Sequence, residues 1–211
     1  MIFPVEHIQA GLEHLSAADS VMADLISRIG PFRMTLDGDR FRSLVRSIIS
    51  QQISGSAARS IRQRLEKMLA PGKITAEKLA RLSPAELRSA GISPQKSRYL
   101  HDLATKVQNG EVPLRHLARM PDEEVIAELV QVKGIGVWTA QMFLMFSLGR
   151  LDVFPHDDLG IRAALRNLYR LRDLPGKDAS HRIAKPWRPY ATIACWYCWR
   201  SLELPNGSGA G

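Results

Sequence analysis

The sequence predicts an all-α fold. Three observations carry this. Apolar residues recur at helical spacing through most of the chain, Ser-Pro and Pro-acid pairs stand where helices would begin, and no stretch alternates convincingly as a half-buried strand would. Along Phe41–Ile49, the apolar Phe41, Leu44, Val45, Ile48 and Ile49 share one face, with Arg42 and Arg46 opposite. Ala57, Ala58, Ile61, Leu65 and Leu69 repeat the pattern. Ser83-Pro84-Ala85-Glu86 reads as a capping box with proline at the first helical position. Ser93-Pro94 opens another helix carrying Tyr99, Leu100, Leu103 and Val107. Pro121-Asp122-Glu123-Glu124 opens a third, with acids placed to favour the N-terminal dipole. Val125, Ile126, Leu129 and Val130 form its apolar side, and Trp138–Leu148 is apolar nearly all round, as a buried helix would be. Short turn signals separate these runs: Gly30-Pro31, Asp37-Gly38, Pro71-Gly72, Gly91, Asn109-Gly110 and Pro175-Gly176.

Composition narrows the class. The chain has 211 residues, 45% of them apolar, enough for one compact unit or two small lobes. Lys and Arg total 29 against 21 Asp and Glu, a net charge of +8, which attracts polyanions or simply favours solubility. Cys195 and Cys198 are spaced as Cys-x-x-Cys, but no second Cys or His pair completes a zinc set. Their apolar helical surroundings suit buried free thiols in a reducing cytosol. Four cysteines would be needed for an iron–sulfur cluster. The N-terminus lacks the pattern of a signal peptide, and no apolar run approaches the roughly 18 residues of a membrane span. The expected location is cytoplasmic, on the nucleoid in a bacterium, with no membrane partner.

The most informative stretch is Lys133-Gly134-Ile135-Gly136-Val137-Trp138-Thr139-Ala140, followed by Asp157-Asp158. Glycine tolerates positive φ and close backbone approach, so Gly-x-Gly between two helices makes a tight turn. Such a turn presents a helix N-terminus to an anion, and Lys133 adds a point charge. By itself Gly-x-Gly also fits an ordinary helical hairpin with no ligand.

The wider pattern resembles the helix-hairpin-helix (HhH-GPD) superfamily of DNA glycosylases. Val132–Ala140 is similar to its hairpin, and Asp152-Val153-Phe154-Pro155-His156-Asp157-Asp158 fills the place of its catalytic-aspartate segment. Ser50-Gln51-Gln52-Ile53-Ser54 with Ala57-Ala58 resembles the loop after the first barrel helix. Gly91-Ile92-Ser93 with Lys96 resembles the next turn and helix. Lys185-Pro186-Trp187-Arg188-Pro189-Tyr190-Ala191, leading to Trp196-Tyr197, is similar to the 3-methyladenine DNA glycosylase II branch. The matches span Phe41 to Tyr197. The resemblance is to a short form, expected to lack the N-terminal β-rich domain of the longer bacterial enzyme of that branch.

The resemblance implies a hydrolase that breaks an N-glycosidic bond in duplex DNA containing alkylated bases. Asp158 is then the catalytic carboxylate, stabilising an oxocarbenium-like transition state and orienting water. Asp157 is then structural, for instance the cap of the helix running to Tyr169; read from the residues alone, both acids suit N-capping. Trp138, Trp196 and Met142 line the base pocket, where aromatic faces attract a cationic purine. Core packing is the alternative for both tryptophans. Met142 replaces a tyrosine of the longer enzyme and offers no π face. Gln52 and Ile53 form the DNA wedge, with Gln52 at its tip. Lys133, Gly134, Ile135, Gly136 and Thr139 bind phosphate. No cofactor is required, though a structural Na+ or K+ can sit on the backbone carbonyls of Val130, Val132 and Ile135. Tyr197, Trp187 and Tyr190 suit core or hinge packing, and His156 is either incidental or a phosphate contact. Bifunctional members carry a lysine nucleophile where this chain has Trp138, and an indole cannot form a Schiff base. The expected activity is therefore monofunctional excision of 3-methyladenine and 7-methylguanine, by a monomer, in base excision repair.

The implied architecture is two helical lobes with an active-site cleft between them. Residues 39–148 form a helical barrel lobe containing the hairpin. Residues 1–38 plus 149–204 form the second, and 205–211 a disordered tail. Two other readings stay open: a noncatalytic helix-hairpin-helix DNA-binding protein, and a glycosylase for deaminated or oxidised bases.

Overall fold

In the computed structural model, which describes residues 3–204, the regular elements are helical throughout, and the all-α expectation holds. In chain order they are α1 (Val5–Ala18), α2 (Ser20–Ile29), α3 (Arg40–Ser50), α4 (Gly55–Met68), α5 (Ala76–Arg81) and α6 (Pro84–Ser89). There follow α7 (Pro94–Gln108), α8 (Asp122–Val130), α9 (Val137–Phe143), α10 (Leu159–Leu168), α11 (Lys177–Ala184) and α12 (Ala191–Ser201). The expected tail at 205–211 lies outside the described residues. The chain divides into two compact units: Asp37–Ser147, and a second that joins the segment ending at Leu36 to the one beginning at Leu148.

The Asp37–Ser147 unit is built on α3. Asp39 caps it, its side chain accepting from the Arg42 amide, and Phe41, Leu44, Val45, Ile48 and Ile49 are buried. Each such side chain contributes ~2 kcal/mol of gross burial energy, an upper figure because the unfolded chain is itself partly collapsed. Helix α3 packs on α4, α7 and α9, and α5 lies along α7. The capping box at Ser83 forms as expected, and Ser93 caps α7. The chain enters and leaves this unit at one place, because the Asp37 amide donates to the Phe146 carbonyl at 2.8 Å. Nearby, Ser147 Oγ donates to Ser43 Oγ at 2.7 Å in a buried setting.

The run Trp138–Leu148 departs from expectation in two ways. After Phe143 it widens into a π-helical turn, Leu144–Leu148. It is also not buried all round: Phe143, Leu144 and Met145 are, but Trp138 is 46% exposed and Met142 half-buried. Apolar content exceeds what the core needs, and the surplus faces a cavity.

In the second unit, α12 is the central element. Ala191–Cys195, Tyr197 and Cys198 are buried along it, and it packs on α1, α2 and α10. Asp19 joins the pieces: Oδ1 caps α2 through the Val21 and Met22 amides, while Oδ2 accepts from Tyr169 Oη and Trp187 Nε1. Both cysteines are free thiols in this core. Burial pushes both well above the ordinary thiol value. Thr192 ties the start of α12 to the segment before Asp158, accepting from the Val153 amide and donating to the Arg150 carbonyl.

Candidate functional site

The hairpin is a turn held on three sides. Helix α8 stops at Val130, and the Ile135 amide then closes the turn onto the Val132 carbonyl at 3.0 Å. Asp102 Oδ2 accepts from the Lys133 amide at 2.8 Å. Gln51 Nε2 donates to the Gly134 carbonyl at 2.8 Å. Gly134 takes φ +83°, and a Cβ there would sit 2.2 Å from the Tyr99 ring. Gly136 is the N-cap of α9, so the amides of Val137, Trp138 and Thr139 form a helix first turn that lacks intrahelical acceptors.

Two amides of the turn already have partners within the protein. Those of Lys133 and Ile135 are engaged with Asp102 and Val132. The side chains of Ile135 and Thr139 are buried, at 4% and 6% exposed. The two glycines of the turn, the Lys133 ammonium and the first turn of α9 follow one another directly in the hairpin, and together they can meet an anion.

Beside the hairpin lies a cavity of about 670 Å³. Trp138 and Met142 form part of its wall, and so do Gln51, Gln52, Lys96 and Tyr99. Sequence reasoning named Trp138, Met142 and Gln52 as site residues, and the fold brings these three together. Gln52 sits in the left-handed region at φ 55°, uncommon for a residue with a side chain, and Ile53 beyond it is 38% exposed. The loop is anchored from behind. Lys96 Nζ donates to the carbonyls of Ile49 and Gln51, each at 2.7 Å, and burial lowers its pKa. Gln95 Nε2 holds the Tyr99 hydroxyl at 2.7 Å. The role of Lys96 as a loop anchor, and that of Tyr99 against Gly134, escaped the sequence. Both are contacts across some 35 or more positions, with no periodic signal.

The acidic segment lies in the second unit. Asp158 is the N-cap of α10, its Oδ1 accepting from the Ile161 amide at 2.8 Å. The cap expected at Asp157 is therefore at Asp158, because the helix begins one residue later than that reading required. Asp157 instead points to solvent, 77% exposed, with His156 Nε2 at 3.3 Å. The His156 ring lies 4.9 Å from that of His181, whose pKa is lowered by burial and by the charges of His156 and Lys177. Asp158 Oδ1 also accepts from Trp199 Nε1 at 2.9 Å. Trp199 was not foreseen: three residues past Trp196 on α12, it looks like one more apolar position.

Trp196 is half-buried in an aromatic cluster, 5.0 Å from Phe32 and 4.9 Å from Tyr197, with the Arg200 guanidinium 6.0 Å from its ring. Trp187 and Tyr197 are fully buried, in keeping with a packing role. No three His, Cys, Asp or Glu side chains among the described residues group to hold a metal. No helix among them is long and apolar enough to cross a membrane.

A chain of two helical units, with a helix-hairpin-helix turn in one and a carboxylate-capped helix in the other, has known counterparts. Residues 45–189 match the HhH-GPD superfamily of base excision DNA repair proteins, and the chain belongs to that family. It is 34% identical over 198 residues to DNA-3-methyladenine glycosylase 1 of Schizosaccharomyces pombe, covering 92% of this chain and 87% of that protein. The fold is similar to that of the S. pombe 3-methyladenine DNA glycosylase solved in complex with abasic DNA. The TM-score is 0.84 and the identity 33%, with 94% of this chain and 99% of that one covered. A DNA-3-methyladenine glycosidase from Bacillus halodurans is also similar, at TM-score 0.84 and 36% identity over 90% of this chain and 88% of that one.

Proposed function

We propose that this protein is a monofunctional DNA glycosylase that removes 3-methyladenine and 7-methylguanine from duplex DNA and leaves an abasic site. The observation that carries the reading is Asp158, a carboxylate held by two donors at the start of α10 in a chain of this family. The chemistry asks little else of the protein. An N-alkylated purine is cationic, so when the C1′–N bond breaks the electron pair moves onto the base and neutralises it. Positive charge then develops on the sugar, and the Asp158 carboxylate stabilises it. Water adds to C1′ and loses its proton to Asp158 or to solvent.

The base must leave the stack before this can happen. Trp138 offers an exposed aromatic face, worth ~0.5–2 kcal/mol against a cationic ring, with Met142 beside it, and Trp196 is a further base-pocket residue on this reading. Gln52 and Ile53 fill the space that the base vacates. Lys133 and the first-turn amides of α9 hold a phosphate of the DNA backbone. The backbone carbonyls of Val130, Val132 and Ile135 can hold a Na+ or K+. Val132 fits this role, since its carbonyl accepts one bond from Ile135 and keeps a second lone pair. Such an ion would add positive charge where a phosphate binds. Trp138 stands where bifunctional relatives need a lysine, so the chain supplies no Schiff-base nucleophile there. The protein works as a monomer in the cytoplasm, on the nucleoid in a bacterial cell.

The test is mass spectrometry of bases released from methylated duplex DNA, beside uracil, hypoxanthine and 8-oxoguanine substrates. Wild type is expected to release 3-methyladenine and 7-methylguanine and to leave the strand intact until alkali is added. Asp158→Asn is expected to lose excision and to bind DNA as well or better. Duplex binding without base release would leave only a DNA-binding module. Release confined to deaminated or oxidised bases would move the substrate class.

A further inference from the structure

We infer that Trp199 is a positioning residue for the Asp158 carboxylate, and that Gly160 is present to let the indole reach it. The inference rests on the reading of Asp158 as the reacting group. A helix cap alone fixes a carboxylate loosely, because one backbone donor leaves rotation about its last bond. Asp158 has a second donor on the same oxygen: Oδ1 accepts from the Ile161 amide of its own helix at 2.8 Å and from Trp199 Nε1 of α12 at 2.9 Å. Bonds from two different helices set the plane of the carboxylate. An indole N–H can only donate, and it donates most strongly to a charged acceptor.

Gly160 is a separate observation. It lies in the first turn of α10, where its φ is not left-handed, so the backbone there is open to any residue. Helix propensity favours alanine over glycine. Space explains the glycine: a Cβ would stand 3.0 Å from Asp158 Oδ1, and 3.1 and 3.2 Å from Trp199 Cδ1 and Nε1. A methyl group at this position would press on donor and acceptor together and displace one or the other by a few tenths of an ångström. Trp199 is itself placed by the packing of α12 on α10 and by the Thr192 bonds that tie the start of α12 to residues 150–153. Preorganised charge needs no rearrangement when the transition state forms, so a carboxylate held in one plane stabilises it better than a mobile one.

The test uses Trp199→Phe, and 3-benzothienylalanine at position 199, which keeps the indole shape but replaces N–H with sulfur. Single-turnover excision of 3-methyladenine at saturating enzyme is compared with affinity for an abasic duplex. A fall of about tenfold in rate with affinity held within about twofold is expected, as for loss of one charge-assisted hydrogen bond. Gly160→Ala should lower the rate similarly while leaving the protein folded. A benzothienyl variant within about twofold of wild type in rate overturns the inference, and so does an equal fall in rate and affinity, which would mark a merely structural role. Asp158→Asn separates the two levels. If it retains turnover, the catalytic reading itself fails, whatever the variants at 199 do.

Discussion

Replacing Gly134 with alanine tests the hairpin most directly, because the cost can be worked from its geometry. The backbone at φ +83° suits glycine, and a side chain there is strained by ~1–2 kcal/mol. The new Cβ would lie 2.2, 2.5 and 2.6 Å from three atoms of the Tyr99 ring, far inside contact distance. Tyr99 must therefore swing away. That puts its χ angles off their preferred values, at ~0.5–1.5 kcal/mol, and strains the Gln95 bond to its hydroxyl, worth ~1 kcal/mol. The sum is about 3 kcal/mol. For a domain of this size each kcal/mol lowers Tm by about 2–4 °C, so a drop of about 6–12 °C follows. Gly136→Ala is the internal comparison: nothing lies within 4 Å of its added Cβ, and only the weaker cap counts, at up to ~1 kcal/mol. Calorimetry of both variants checks stability, and fluorescence anisotropy with an abasic duplex checks binding. If the DNA backbone approaches here, Gly136→Ala should lose affinity with little change in Tm, while Gly134→Ala should lose both. A Gly134→Ala protein melting within about 2 °C of wild type would refute the packing argument.

Lys96→Met removes two bonds from the Gln51–Gln52 loop while keeping an aliphatic stem, and is expected to cost ~1–2 kcal/mol and about tenfold in abasic-DNA affinity. Unchanged affinity would mean that the loop holds its shape unaided. Stability should also fall with alkali. The Cys195 and Cys198 thiols ionise less readily folded than unfolded, so the decline begins near the ordinary thiol value of 9.0. Tyr197 then adds to it: burial raises its pKa from 10.0 to about 12, so its contribution is intact below 10 and lost through 12. Urea midpoints measured against pH should fall less steeply over that interval in Tyr197→Phe, the buried thiols and Tyr169 supplying the slope that remains. Thiol reagents should modify either cysteine only as the protein unfolds.

The helices were legible because their evidence is local. The α3 face, the Ser83 capping box and the Ser93 cap each lie within a turn or two of sequence. The fate of the apolar run after Gly136 was not, because periodicity records composition and cannot say which apolar residues face a cavity. Trp138 and Met142 look no different in sequence from Phe143 and Leu144, yet only the first pair lines the cavity. The acid pair erred by one residue, within the usual uncertainty of a helix boundary, and here that decided which aspartate carries the cap. The bonds that shape the site run Gln51 to Gly134, Lys96 to Ile49 and Trp199 to Asp158. Each joins residues more than 40 positions apart, beyond the reach of any spacing rule.

On the proposed reading, the long bonds within the Asp37–Ser147 unit would let it both grip DNA and open it. Extruding a base costs a few kcal/mol, which the protein must recover from contacts made at the same moment. A loose wedge loop would add its own ordering cost, ~1–2 kcal/mol for each residue fixed. Here the loop is ordered beforehand: Lys96 holds it at Ile49 and Gln51, and Gln51 is bonded to the Gly134 carbonyl. Gln52, left-handed at the tip, is thereby in register with the turn that presents the first amides of α9. A phosphate held by those amides would lie at a fixed offset from the wedge, and the cavity walled by Trp138 would lie at a fixed offset from both. With Gln52 as the wedge and Trp138 in the base pocket, as proposed, gripping, wedging and receiving the base would be one rigid-body event, so weakening the Gln51–Gly134 bond should slow base extrusion even where every group that touches DNA is unchanged.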